Sequence, residues 1–281
     1  MTESPGIHPI FLYFDDVAGQ IRMFYSLASA NADVESVHDM RVAIKRMRAL
    51  MQTIEHLSPS LSSRKLFKPL KTLFKSAGPL RDVHVQQALV HQWMQKAHRP
   101  FHGYYNELKA QELDLRTAFQ KQARAFSPEC LDFIRSQCTT EISQLSDAWL
   151  VYKINQRFVN LMEDIVFQHH VPDLAENHYH KIRKTSKEAR YTLEVLQQLR
   201  QDDAYEVLNQ QLRALHQALG QWHDFDVAQQ FVNQIEPNQA EAAPYCQYLI
   251  RKKKAFLNQF LKLWHAFLKE NPQFDRTFSN S

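Results

Sequence analysis

Val37-His38-Asp39-Met40-Arg41-Val42-Ala43-Ile44-Lys45-Arg46-Met47-Arg48 decides how this chain folds. Its cations recur at 38, 41, 45 and 48, spaced 3, 4 and 3. At about 100° per residue they fall within roughly 80° of one helix face. The apolar residues Met40, Ile44, Met47, Met51 and Ile54 keep the same helical period on an adjacent stripe. One helix thus carries a buried face and a cationic face side by side.

The stretch has a second copy, Tyr179-His180-Lys181-Ile182-Arg183-Lys184-Thr185-Ser186-Lys187-Glu188-Ala189-Arg190. His38 aligns with His180, Arg41 with Arg183, Lys45 with Lys187 and Arg48 with Arg190, at a constant separation of 142 residues (from 38 to 180). Further on, Gly78, Asp82 and Val85 match Gly220, Asp224 and Val227 at the same separation. Two separated motifs in one register indicate an internal duplication. The expected architecture is all-α, two tandem helical bundles, with one unit over 1–145 and the other over 146–281.

Composition agrees. The 281 residues include only five glycines, where strand-and-turn proteins need many positive-φ positions. Apolar spacing predicts helices over about 10–30, 36–57, 61–77, from about 80 onward, and over 104–125, with a counterpart of the first over 152–170. Gly78-Pro79 reads as a cap followed by a residue that cannot continue a helix. Asp82 reads as a first-turn acid. The stretches near 140–150 and 171–178 read as hinges.

Three cysteines, Cys130, Cys138 and Cys246, have no metal-ligand spacing and read as free thiols of a reducing compartment. The N-terminus lacks the features of a secretory signal, and no segment approaches the roughly 20 apolar residues of a membrane helix. The expectation is a cytoplasmic protein without a membrane partner.

The net charge of +4 is modest, so the placement of charge carries the functional argument. Arg64, Lys65, Lys68, Lys71, Lys75 and Arg81 extend the first stripe without an intervening acid. Arg213 is the chief counterpart in the second, and the last helix adds Arg251-Lys252-Lys253-Lys254. A single such stripe would read as a solvated surface. Drift scrambles a merely solvated face, yet these identities persist in two copies. Arginine forms bidentate contacts to phosphate oxygens and lysine supplies point charge, so the pattern suits a polyanion. A matched histidine pair beside the arginines suits phosphate donation, with nearby anions favouring its charged form.

Both copies resemble the CHAD family, the conserved histidine α-helical domain. Its signature is similar to 37–48 together with Leu80-Arg81-Asp82-Val83-x-Val85, and its other half to 180–191 and 219–228. The resemblance covers roughly 10–270. It implies two bundles related by a pseudo-twofold axis, a basic central pore or groove, inorganic polyphosphate as ligand and association with polyphosphate granules. By motif position it assigns binding to His38, Arg41, Lys45 and Arg48, and to His180, Arg183, Lys187 and Arg190. Arg46 matches a further basic position, although Glu188 stands at its counterpart, and His223 stands where the first copy has Arg81. Lys71, Lys75, Arg81, Lys184, Arg213, Arg251 and Lys254 complete the candidate surface. The Glu-x-Glu-x-Lys signature of a fused triphosphatase domain is missing, so the resemblance implies a stand-alone binding domain.

Catalysis needs more than this pattern offers. Asp82, Asp224 and Asp226 are the best carboxylates for holding Mg²⁺, but their expected position at helix starts suits capping and arginine orientation better. There is no Gly-rich phosphate loop. His169-His170 and His223-x-x-Asp226 lack diagnostic metal spacing, so neither a metal nor a cofactor is assigned. Trp222, Trp264, Tyr191 and Phe256 read as core. Nucleic-acid binding is the main rival, with a metal-dependent polyphosphate or triphosphate hydrolase a lesser one. Single-strand recognition adds aromatics among the charges. The stripe at 38–48 has none, and the second offers only Tyr191.

Overall fold

The computed structural model describes residues 9–169, 176–200, 202–235 and 239–275. Every regular element among them is helical: α1 (Pro9–Asn31), α2 (Val34–Leu57), α3 (Ser63–Leu66), α4 (Lys68–Ser76), α5 (Gly78–Ala97), α6 (His102–Ala123), α7 (Cys130–Ile142), α8 (Asp147–His169), α9 (Glu176–Leu199), α10 (Asp203–Ile235), α11 (Gln239–Glu270) and α12 (Pro272–Asp275).

The two stripe helices, α2 and α9, each have 24 residues and begin and end 142 positions apart. Asp33 caps α2: its carboxylate accepts from the backbone N–H of Glu35 and Ser36, filling donors that a helix start leaves open. Those bonds hold its pKa below the usual range. Along α2, Met40, Ile44, Met47, Met51 and Ile54 are all buried, as the spacing predicts.

The units differ where their punctuation differs. In the first, the helix breaks at Phe67 and Ala77 into α3, α4 and α5. In the second, α10 runs unbroken through the equivalent of that break. Proline is the physical reason. Pro69 and Pro79 sit in the first turns of α4 and α5, where a missing N–H costs nothing. Gln211 and Gln221 stand at their counterparts and keep the i to i−4 bond. Gly78 is not a left-handed cap, since no described glycine has positive φ. It opens α5, and a Cβ there would lie 3.5 Å from Arg41 Nη1. Asp82 sits beyond the first turn of α5, and Asp224 lies in the middle of α10, so neither caps a helix.

Of the expected hinges, 143–146 is a short turn between α7 and α8. In the other stretch, 171–175 lie outside the described residues and 176–178 belong to α9.

Two apolar clusters hold the helices, and each takes residues from both sides of the 145/146 boundary. The larger joins α1, α2, α4 and α7 to α8, α9, α10 and α11, with Phe14, Met47, Leu50, Ile154, Met162, Leu193 and Trp222 all buried. The smaller joins α5 and α6 to α10 and α11 around Trp93, Phe101, Tyr104 and Tyr245. Fully burying one such side chain contributes about 1.5–3 kcal/mol. Trp222, Trp264 and Tyr191 are buried and Phe256 half-buried, in keeping with a core role. Packing of α2 against α9 is the consequence that matters, because it turns the two cationic stripes toward a common space.

Candidate functional site: opposed cationic stripes

Lys45 and Lys187 occupy the same register position in α2 and α9, and both line one cavity of about 160 Å³. Ile44, Ala49, Phe67, Phe74 and Tyr191 supply its apolar surface; Arg48, Lys71 and Lys184 add charge, and Glu188 adds one acid. The Lys45 ammonium is pushed down to about 7, first by burial and then by Lys187, Arg41, Arg183 and Arg81. Lys187 is pushed down to about 8 by burial, then by Arg183, Arg48, Arg190 and Arg41. Each lysine therefore feels cations of the opposite stripe as well as its own, at low local dielectric.

Arg41 is fixed by its surroundings. Its Nη1 donates to the Phe74 carbonyl at 2.6 Å, and its guanidinium lies 4.0 Å above the centre of the Phe74 ring. Arg183, its counterpart, has a buried Nε without a hydrogen-bond partner. Arg81 reaches the site from α5, where burial depresses its pKa against the pull of Asp224, Asp82 and Asp39. Burial raises the Asp224 carboxyl although Arg183, Arg81 and Lys45 stabilise its anion. Asp82 and Asp224 thus lie in the field of these arginines from within helices rather than from helix starts. Five cations (Arg41, Lys45, Arg81, Arg183 and Lys187) face Asp82 and Asp224, with Asp39 acting on Arg81 as well.

One end of the cationic array already holds an anion. The Glu194 carboxylate is buried and lies 2.8 Å from Arg190 Nη1, 3.6 Å from Arg46 Nε and 3.7 Å from Arg213 Nη2. Tyr13 donates its hydroxyl to it at 3.4 Å. Arg46, Arg190 and Arg213 are therefore partly neutralised from within the chain. Glu188, opposite Arg46 in the repeat, pairs with Arg157 at 2.5 Å.

The remaining candidates divide. His38 lies at the exposed edge of α2, where partial desolvation of its ring, followed by Arg81, lowers its pKa and so works against the charged form. Arg48, Lys71 and Lys184 line the cavity. Lys75 lies exposed at the end of α4, and Arg251 and Lys254 lie exposed on α11; none of the three lines it. The His180 ring lies tilted beside Trp222 and edge-on to His223, with ring centroids 4.7 and 5.2 Å away, and its Nε2 lies 3.8 Å from Asp226 Oδ2. His223 is neutral, held down to about 4 by burial and then by Arg183.

His216 was missed by motif reading. It stands where the first copy has Phe74 and belongs to the site, because its imidazole is pushed down to about 3 by burial and then by Arg190, Arg183, Lys187 and Lys45. Extending the 142-residue register beyond the motifs would have pointed to it. No such signal marks Glu194, whose partners lie on α1, α2 and α10 as well as on its own helix.

No described helix is long and apolar enough to cross a membrane. The cysteines are free thiols, with Cys138 buried.

The model of the CHAD domain family matches residues 13–233. A solved structure of the CHAD domain from the plant Ricinus communis superposes with a TM-score of 0.65 at 19% identity, covering 92% of this chain and 89% of that one. PptA from Streptomyces chartreusis superposes with a TM-score of 0.58 at 15% identity, covering 90% of this chain and 99% of that one. No curated protein shows significant sequence similarity to the chain.

Proposed function

Since the chain belongs to the CHAD domain family, we propose that it binds inorganic polyphosphate between the stripes of α2 and α9, without catalysis, in the cytoplasm and on polyphosphate granules. One observation carries the reading: Lys45 and Lys187, with ammonium groups lowered to about 7 and 8, are held beside the other stripe's cations. Such an arrangement opposes folding unless an anion offsets it, so a selected role for it implies an anionic ligand. A flexible phosphate chain can present an oxygen to each cation in turn, and arginine donors can take it bidentately.

Nucleic acid fits less well. Aromatics line the cavity, two of them from outside the stripes, but Phe67 and Tyr191 are buried and Arg41 covers a face of Phe74. They offer no free platform for a base. Asp82 and Asp224, the best carboxylates for a hydrolytic metal, face Arg41, Arg81 and Arg183.

The test is charge reversal at matched positions. Arg41→Glu combined with Arg183→Glu abolishes polyphosphate binding while helical circular dichroism persists. Removing one charge-assisted hydrogen bond to phosphate costs about 1.5–3 kcal/mol, and reversal adds repulsion. Arg41 also braces Phe74, so Lys45→Met with Lys187→Met provides a second variant that relieves repulsion. A folded variant of either kind that binds polyphosphate like the wild type overturns the proposal, and RNA displacing polyphosphate of equal charge favours the nucleic-acid reading.

A further inference from the structure

The second unit departs from the first at one cluster. In the first copy the equivalent positions hold His38, Arg81 and His84; in the second they hold His180, His223 and Asp226. An arginine has become an imidazole, and an imidazole has become a carboxylate. Where the first copy holds a permanent cation, Arg81, the second thus offers two nitrogen donors and one oxygen donor.

The fold brings these three together. His223 and Asp226 lie three residues apart on α10, hence on one face, and His180 approaches from α9. One donor atom from each lies within 4.8 Å of the others. The Nδ1 of His223 is buried and has no hydrogen-bond partner. Asp226 Oδ1 accepts from Lys253 Nζ at 2.6 Å, and Lys253 is held in turn by Glu176. Asp226 Oδ2 faces His180 Nε2 at 3.8 Å, with Gln230 Nε2 at 3.3 Å. A carboxylate anchored through one oxygen presents the other in a set direction, as outer partners do at metal centres.

We propose that His180, His223 and Asp226 form a binding site for a divalent transition metal of the zinc class. Two imidazoles and a carboxylate suit that ion, which takes three protein ligands and leaves a fourth position to water. Binding draws the donor atoms to about 3.3 Å from one another, the spacing set by metal–ligand bonds near 2.0–2.1 Å. The site is peculiar to the second unit, because Arg81 excludes a cation from the equivalent place in the first. Arg183, the Coulombic neighbour of His223, opposes a metal ion and makes the affinity moderate rather than extreme.

Zinc chloride titrated alone into the full chain, followed by calorimetry, tests this. One zinc binds per chain. Affinity falls by at least about tenfold in His223→Arg, which installs the first copy's residue, and in Asp226→Asn. It is unchanged in His102→Ala, which removes an exposed histidine elsewhere. Equal binding by wild type and His223→Arg, or no saturable uptake by the wild type, overturns the site. Should the variants fail to fold, cobalt(II) added to the wild type decides. A strong visible absorption of four-coordinate cobalt supports the site, and the weak spectrum of octahedral cobalt overturns it.

Discussion

Lys187 helps hold the Lys45 ammonium down to about 7, although the two residues lie on different helices and 142 positions apart. Both line one cavity. The pair makes this cavity a source of instability that the proposed polyanion would remove, and much of the protein's expected behaviour follows from it.

Stability without ligand should rise with pH. Both lysines have folded pKa values below their ordinary 10.5. The unfolded chain therefore binds more protons than the folded one between about 7 and 10.5, and unfolding becomes costlier as pH climbs through that window. The gain is at most about 1.4 kcal/mol per pH unit for each lysine. Thermal melts at pH 7 and pH 9 check it, and Lys45→Met should flatten the slope. A melting temperature independent of pH in the wild type would contradict the placement of both ammonium groups.

Polyphosphate affinity should run the opposite way. A bound polyanion restores the charged form of Lys45 and Lys187, so binding above pH 7 takes up protons and weakens as pH rises. Titrations at one pH in two buffers of different ionisation enthalpy read this uptake directly. Binding without proton uptake would place the ligand elsewhere.

Glu194 acts as a resident counter-ion for Arg46, Arg190 and Arg213. Glu194→Gln keeps the shape and removes the charge, leaving partly buried guanidiniums uncompensated. We expect a loss of stability on the order of 2–3 kcal/mol, together with severalfold tighter polyphosphate binding. Denaturant unfolding and binding measured on the same variant check both halves. Unchanged affinity would show that the ligand does not reach this end of α9.

Long-chain polyphosphate should raise the melting temperature strongly at low salt and less at high salt, where screening and counter-ion competition act. Saturation at 100 times the dissociation constant contributes about 2.7 kcal/mol. Orthophosphate at equal total phosphate should do far less, because separate ions lack the linkage that makes later contacts intramolecular. Equal shifts from both would reduce the stripes to a generic anion surface.

Purified protein should release no orthophosphate from polyphosphate or nucleoside triphosphates, with or without Mg²⁺. Asp82 and Asp224 lie in the field of arginines, and Asp82 is near enough to help raise the Asp224 pKa. Mg²⁺-dependent turnover lost in Asp224→Asn would make the protein a hydrolase.

The sequence by itself determined the helices and the residues that share a face on each. Those properties depend on a local 1.5 Å rise and 100° rotation per residue, so Met40, Ile44 and Met47 read directly as core, and Arg41 and Lys45 as a separate stripe. It also showed that the stripe occurs twice, because register survives in one dimension. Only the tertiary structure decided that the stripes face each other, since that depends on which helices pack together. It likewise decided that Glu194 answers Arg46 and Tyr13 on other helices, and that Asp224 serves within a helix rather than at its start. Even the break at Gly78-Pro79, legible as a boundary, acquired its meaning only when α10 ran straight through the equivalent place. Charge compensation acts through space over a few ångströms, and sequence separation says nothing about which charges come that close.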